Sequence, residues 1–437
     1  MKDISKIANE LALAKTKDEK KKLARVILEE AYEKKVYPWS INDFYMARAK
    51  DRFGGFTVPA INLRTMTYEL ARAIFRAAGA INAGAFIFEI AKSEMGYTDQ
   101  IPSEYVSMCL AAAIAENYQG PVFIQGDHIQ LKAKNYNENP GKEIEGIKLL
   151  IKEAVRAGFY NIDIDSSTLV DLSQASAKAE QLHNYKVCAE LTNFIRSIQP
   201  GELNVSVGGE IGEVGKKNST PLELRAFMQG YAELLKKGNI GISKISIQTG
   251  TSHGGVVMPD GTVAKVKVDF ETLKNLSLLA RDEFGMAGAV QHGASTLPSD
   301  AFGKFPEVET AEIHLATQFQ NMVYDSPHFP KKLRDKIYNW IKENLTSEKK
   351  EKDTEEQFMY RARKKALGPF KKEILGLEPG VKKAIVEEVE KEFRFLFGKL
   401  NIKDTKDLVS KYVSPGPIKA RIADDNTHVE MDGEGDD

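Results

Sequence analysis

Apolar residues recur along this chain in two rhythms. Between about residues 55 and 316, short runs of β-forming residues that end in polar or glycine positions alternate with stretches of helical apolar period, the pattern of repeated βα units. Eight candidate strands read in order: GFTVPAI at 55–61, GAFIFEI at 84–90, PVFIQGD at 121–127, YNIDID at 160–165, LNVSVGG at 203–209, ISKISIQ at 242–248, MAGAVQ at 286–291 and ETAEIHL at 309–315. Eight strands with intervening helices over about 260 residues predict an α/β fold, the (β/α)8 TIM barrel. A doubly wound sheet would more usually stop near six strands and open with a Gly-rich dinucleotide turn. Neither GxGxxG nor GxxxxGK[ST] occurs.

Outside the βα region the rhythm is helical. Residues 1–50 carry Ile4, Ile7, Leu11, Leu13, Leu23, Val26, Ile27 and Ala31 among many Lys and Glu, which predicts a helical N-terminal extension. Residues 51–330 then form the catalytic barrel. Residues 331–412, with KKLRDKIYNWIKENL and VKKAIVEEVEKEFRFLFGKL, predict a charged helical C-terminal extension. The acidic, Pro- and Gly-containing tail 413–437 has too few apolar groups to offset the entropy of ordering and is expected to be disordered.

Composition narrows the partners. Across 437 residues, 61 Lys and Arg nearly cancel 62 Asp and Glu, so no field favours nucleic acid or a membrane surface. Only Cys109 and Cys188 occur, which argues against a disulfide framework and a cysteine metal site. The N-terminal residues lack the continuous apolar core of a signal peptide, and no run approaches the roughly 18 apolar residues of a membrane span. The cytoplasm is the expected compartment.

Barrel active sites are built at the C-terminal ends of strands, so polar residues there are the candidates. They are Asn62, Glu89, the pair Asp127 and His128, Asp163 and Asp165, Glu210, His253, Gln291 and His292, and His314. Four of only seven His fall at the ends of different strands. His128, His253 and His292 with a carboxylate form a suitable shell for a catalytic divalent metal, Zn2+ being favoured by nitrogen donors. GDHIQ places Asp127 beside His128, so acid/base and metal ligand could share one small site; the alternative for Asp127 is a helix cap. Glu210 reads equally as a ligand or as a carboxylate holding a histidine. TGTSHGG and QHGAS surround His253 and His292 with residues that expose backbone N–H groups suited to phosphate. Because alternate residues face inward, Asp163 or Asp165 points into the barrel. His183, His328, His428, Lys132 and Lys216 to Asn218 default to structural or surface roles.

These motifs, in this order, resemble the class II (metal-dependent) fructose-1,6-bisphosphate aldolase family over about residues 56–318. VPAIN resembles its first strand, GDH its catalytic Asp and first metal His, GEIGEVG its EIG segment, GTSHGG its second metal His, and QHGAS its third with the phosphate loop. The resemblance implies Zn2+ or another divalent ion on His128, His253 and His292, with Glu210 on or near it, and Asp127 as acid/base at the hydroxyl beside the cleaved bond. It places Gly215, Gly254, Gly293 and Ser295 around a phosphate and a monovalent cation, and Asn62 facing substrate. Gln291, Glu312 and His314 complete the candidate substrate set. The expected assembly is a homo-oligomer acting on a small sugar or sugar phosphate.

Two departures qualify what is implied. The family's mobile loop supplies a Glu that moves a proton at the nucleophilic carbon, whereas this chain reads EIGEVGKKNSTP with Lys217 and Asn218 there; Glu213 is the nearest acid. The family's strand 8 ends NIDTDTQ, and this chain reads EIHLATQ, so Glu312, His314 and Leu315 replace groups near the carbonyl and a phosphate. The leading expectation is reversible aldol cleavage of a ketose or ketose (bis)phosphate such as fructose or tagatose 1,6-bisphosphate. A ketose 4-epimerase using retro-aldol chemistry on the same metal site is the first alternative. A non-catalytic partner subunit of an aldolase is the second.

Overall fold

In a computed structural model, residues 3–212, 217–250, 258–259 and 267–418 are described. Nine parallel strands run β1 (Val36–Trp39), β2 (Val58–Asn62), β3 (Ile87–Ala91), β4 (Gly120–Gln130), β5 (Asn161–Asp165), β6 (Ser206–Glu210), β7 (Lys244–Ile247), β8 (Ala289–Gln291) and β9 (Glu312–Leu315). Strands β2 to β9 pair in a ring that β4 and β5 close, with helices between successive strands: the (β/α)8 barrel. All eight strands of the ring overlap the eight expected from the apolar runs. Both faces of such strands are covered, and the side chains of β2, β3, β5, β6, β7, β8 and β9 are buried throughout.

The segment expected to be wholly helical contributes β1 as well. Val36 to Trp39 pair with Gly120 to Phe123 of β4, on an edge that β5 takes over only from Gln125 onward. Asn161 at the start of β5 seals the junction, accepting from Ile41 N–H at 2.9 Å and donating to Trp39 and Ile124 carbonyls. A long β4 with a free lower edge is what recruits β1, and no local period in residues 36–39 signals that.

Helices at both ends are welded onto the barrel. Helix Pro379–Lys399 turns Ile385, Val389, Phe393 and Leu396 to one buried stripe, and Phe397 meets Phe86 beside β3 at 6.0 Å between ring centroids. Buried Glu104, in helix Pro102–Ala115, takes Lys20 from the N-terminal helix Lys17–Glu33 at 2.9 Å and Lys371 from the C-terminal region at 2.6 Å. Extensions and barrel share one hydrophobic core. Val413 and Ile418, the first residues of the expected tail, are buried, and residues from 419 lie outside the description.

The barrel interior carries a charged layer under the strand ends. Lys244 Nζ on β7 reaches Gln125 Oε1 on β4 at 2.6 Å, Asp163 Oδ2 on β5 at 2.9 Å and Glu312 Oε1 on β9 at 2.5 Å. Tyr45 donates to the other oxygen of Glu312. Gly208 on β6 makes room, because a Cβ there would collide with Asp163 Oδ1. Burial opposes the Lys244 charge, but Asp163 and Glu312 outweigh it and raise its pKa. Breaking a buried pair from one side leaves an uncompensated charge, so Lys244→Met should cost about 3–5 kcal/mol. The measurement is the thermal unfolding midpoint, and a variant as stable as the parent would show that the layer carries no net pairing energy.

Candidate active site

The site begins with an irregularity in β4. Consecutive strand residues point to opposite faces, so Asp127 and His128 should not share a pocket. Between Gly126 and Ile129 the pairing with β5 shifts register, and His128 adopts φ +40°, a left-handed conformation that costs a non-glycine residue energy. The bulge turns both side chains to the barrel mouth, where His128 Nε2 lies 3.7 Å from Asp127 Oδ1.

Carboxylates hold the His128 ring from behind. Its Nδ1 lies 3.3 Å from Asp165 Oδ2 on β5 and 3.6 Å from Glu210 Oε2 on β6. A proton on Nδ1 shared with Asp165 leaves the Nε2 lone pair for a ligand, the carboxylate–histidine arrangement common behind metal ions. Asp165 is in turn fixed by Gln130 Nε2 at 2.7 Å and Ser167 Oγ at 2.7 Å. Burial pushes the Asp165 carboxyl up, yet hydrogen bonds from His128, Ser167 and Gln130 prevail and hold it below its ordinary value. Burial and then the Asp165 charge push Glu210 well above the carboxylate range. Burial disfavours charge on His128, but Asp127, Asp165 and Glu210 outweigh it and raise its pKa well above the usual imidazole value.

His292, just after β8, lies with its ring centroid 4.3 Å from that of His128, and its Nε2 is 2.9 Å from Ser246 Oγ on β7. Donor atoms of Asp127, His128 and His292 lie within 4.8 Å of one another, as do those of His128, Asp165 and Glu210. Two imidazoles among buried carboxylates, with negative charge in excess, fit a borderline divalent ion such as Zn2+. The third expected ligand, His253, lies outside the described residues, as do Glu213, Gly215, Lys216, Gly254 and His428.

The remaining candidates divide by what they touch. His314 on β9 reaches Asp127 Oδ1 at 3.0 Å and Glu89 Oε2 at 3.1 Å through Nδ1, and Glu312 Oε1 at 2.7 Å through Nε2. Its ring centroid lies 4.1 Å from that of His292. Burial and then the Asp127 charge push Glu89 well above its ordinary range. For Glu312, burial acts upward, but Lys244 and His314 prevail and bring it down to about 2; burial lifts Asp163 to about 6 against the pull of Lys244. Asn62 ends β2, donating to Glu94 Oε2 at 2.5 Å while its Oδ1 has no hydrogen-bond partner. Glu94 also pairs with Arg64 and accepts from Ala91 N–H.

Gln291 is spent on the scaffold: its Oε1 accepts from Thr249 and its Nε2 donates to the His292 carbonyl, both at 2.6 Å. Gly293 takes φ +67°, and Ser295 Oγ accepts from Ala316 N–H at 2.7 Å, tying the β8 loop to the end of β9. Lys217 pairs with Glu223 at 2.8 Å and Asn218 donates to Asp269. His183 and His328 are exposed. Gln125, Lys244, Tyr45 and Glu94 do not stand at the C-terminal ends of strands, so position alone does not single them out. For one of them a signal existed: Gln125 stands two residues before the strand-end Asp127 and so shares its face.

A parallel barrel whose strand ends converge buried imidazoles and carboxylates defines the class of barrel enzymes with a candidate metal centre at the C-terminal face. The chain belongs to the class-II fructose-bisphosphate aldolase family, whose model matches residues 45–396. No curated protein matches the chain. Among solved structures it is similar to one described as a probable tagatose 6 phosphate kinase from Sinorhizobium meliloti 1021, at 14% identity and TM-score 0.54, covering 82% of this chain and 99% of that one. A fructuronate-tagaturonate epimerase from Cohnella laeviribosi matches at 12% identity and TM-score 0.54, covering 90% and 86%. A fructose-bisphosphate aldolase from Campylobacter jejuni matches at 15% identity and TM-score 0.47, covering 82% and 93%. At these identities the two structures with TM-score 0.54 establish the shared fold and nothing beyond it. Among the described residues no helix is long and apolar enough to cross a membrane.

Proposed function

We propose that this protein is a divalent-metal-dependent enzyme that reversibly opens the C3–C4 bond of a ketose or ketose phosphate, as an aldolase releasing a dihydroxyacetone unit and an aldehyde. The observation that carries the reading is the bulged end of β4, which sets the Asp127 carboxylate beside His128, with His292 against that imidazole. Zn2+ on His128, His253 and His292, with Glu210 beside them, would supply Lewis-acid polarisation of the ketose carbonyl, the task a Schiff-base lysine performs in the metal-free route. Asp127 takes the proton of the C4 hydroxyl in cleavage and returns it in condensation. Asp165 and Glu210 keep His128 oriented. Asn62, with its free Oδ1, faces the substrate hydroxyls, and the loops of Gly215, Gly254, Gly293 and Ser295 take a phosphate and a monovalent cation.

Epimerisation at C4 on the same site is the second reading. It is favoured by Lys217 and Asn218, which are engaged with Glu223 and Asp269 and put no carboxylate at that place in the loop. An epimerase that turns and rejoins its fragments needs no acid at the nucleophilic carbon. The epimerase among the structures of like fold is in keeping with it. The intact Asp127, His128 and His292 weigh against a purely structural subunit.

The test is product analysis after metal loading, with fructose, tagatose and their phosphates as substrates. A trapped triose assigns the aldolase. Conversion of one hexose to its C4 epimer without free triose assigns the epimerase, and no turnover of any sugar with a fully metallated protein overturns both.

A further inference from the structure

Asp127 meets an imidazole that is not among the expected metal ligands and whose own position is rigidly built: His314. Both nitrogens of that imidazole face carboxylate oxygens, Nδ1 towards Asp127 at 3.0 Å and Glu89 at 3.1 Å, Nε2 towards Glu312 at 2.7 Å. Glu312 cannot swing away, because Lys244, Gln125 and Tyr45 all donate to it. Gln125 also donates to Glu89 at 3.2 Å, and the ring lies against His292. Every one of these groups is buried. Ionised carboxylate oxygens only accept, so the ring donates to Asp127 on one side and Glu312 on the other, and its orientation is dictated on both.

We infer that His314 is a positioning residue: the Glu312–His314 pair, locked by Lys244 and Tyr45, aims the Asp127 carboxylate at the reacting hydroxyl. This rests on the reading of Asp127 as the acid/base. It also gives the unusual residues of β9 a different task from substrate contact. A carboxylate beside a polar mouth can rotate about two side-chain bonds, and a misplacement of about 1 Å in a reacting group costs on the order of 10²-fold in rate. A donor fixed from beneath removes that freedom, as an orienting carboxylate does for a catalytic histidine.

The test compares two neutral amides of similar size. In His314→Asn the side-chain N–H₂ falls near the position of Nδ1 and keeps the bond to Asp127; in His314→Gln it falls near Nε2 and keeps only the bond to Glu312. With fructose or tagatose 1,6-bisphosphate as substrate and equal bound Zn2+, kcat in the Asn variant should exceed that in the Gln variant by at least about tenfold, with KM little changed, since ground-state binding is untouched. In an Asp127→Asn background His314→Gln should cost nothing more, because its effect passes through Asp127. Crystal structures of the two variants need no substrate: Asp127 should keep its rotamer in the Asn variant and leave it in the Gln variant. Equal kcat in the two variants, high or low, or an unmoved Asp127 in the Gln variant, overturns the assignment. Full activity of Asp127→Asn alone would instead end the functional reading, so the two failures are distinct.

Discussion

Loss of a single imidazole donor is expected to abolish turnover. His128→Ala and His292→Ala should each lower bound Zn2+ per chain, and activity should fall by on the order of 10³-fold or more, since a bound ion supplies several kcal/mol of charge stabilisation at the transition state. The arrangement explains why neither loss is absorbed locally. His128 stands among Asp127, Asp165 and Glu210, so truncating it leaves three buried carboxylates facing one another. His292 packs between the rings of His128 and His314, so its removal opens a gap between them. Chelation of the native protein should reproduce the effect and Zn2+ should reverse it. Metal analysis paired with the activity assay decides the matter: full activity in a metal-free preparation would end the metal-dependent reading.

Asp127→Asn is the second large effect. The amide is nearly isosteric, so fold and bound metal should be kept, and the His314 Nδ1 contact retains an acceptor in the amide oxygen. What disappears is the base. A positioned general base contributes about 10²–10⁴-fold, and turnover should fall at least by the lower figure for cleavage and for epimerisation alike, because both open the C3–C4 bond through that carboxylate. Parallel loss of triose formation and hexose epimerisation in Asp127→Asn, with metal content unchanged, is the expected result. Wild-type-like turnover would remove Asp127 from both readings. Solvent-deuterium exchange into dihydroxyacetone or its phosphate separates the remaining possibilities: exchange that vanishes in Glu213→Gln assigns a relocated acid, and negligible exchange with rapid C4 epimerisation assigns fragments that never leave.

Much of this site could be read along the chain because barrels concentrate chemistry at strand ends. An apolar run ending in Asp127 and His128 or in Gln291 and His292 marks both a strand and a candidate site. A strand-end position is ambiguous wherever one residue can serve two purposes. Gln291 sits at a strand end like a substrate contact, yet it joins Thr249 to the His292 carbonyl. Glu312 and His314 likewise stand where substrate contacts are expected, and they are buried against Lys244, Tyr45 and Asp127. A strand-end address says that a residue can reach the mouth of the barrel; it does not say which of the neighbouring strands claims its hydrogen bonds.

The eight-strand order, the helical ends and the chemical identity of the donors follow from local rules: period, turn residues and side-chain type are properties of adjacent positions. Three features required the tertiary pairing of strands. The bulge that turns Asp127 and His128 to one side depends on the register between β4 and β5, which are brought side by side only after the helices Ala133–Glu138 and Pro140–Ala157 have crossed back between them. The site of β1 depends on how far β4 outruns its neighbour. The layer around Lys244 brings together residues from positions 45, 125, 163, 244 and 312, which lie far apart in sequence. Burial makes their mutual pairing obligatory, because a charge removed from water is tolerated only beside its partners, and those partners are chosen by strand order around the barrel.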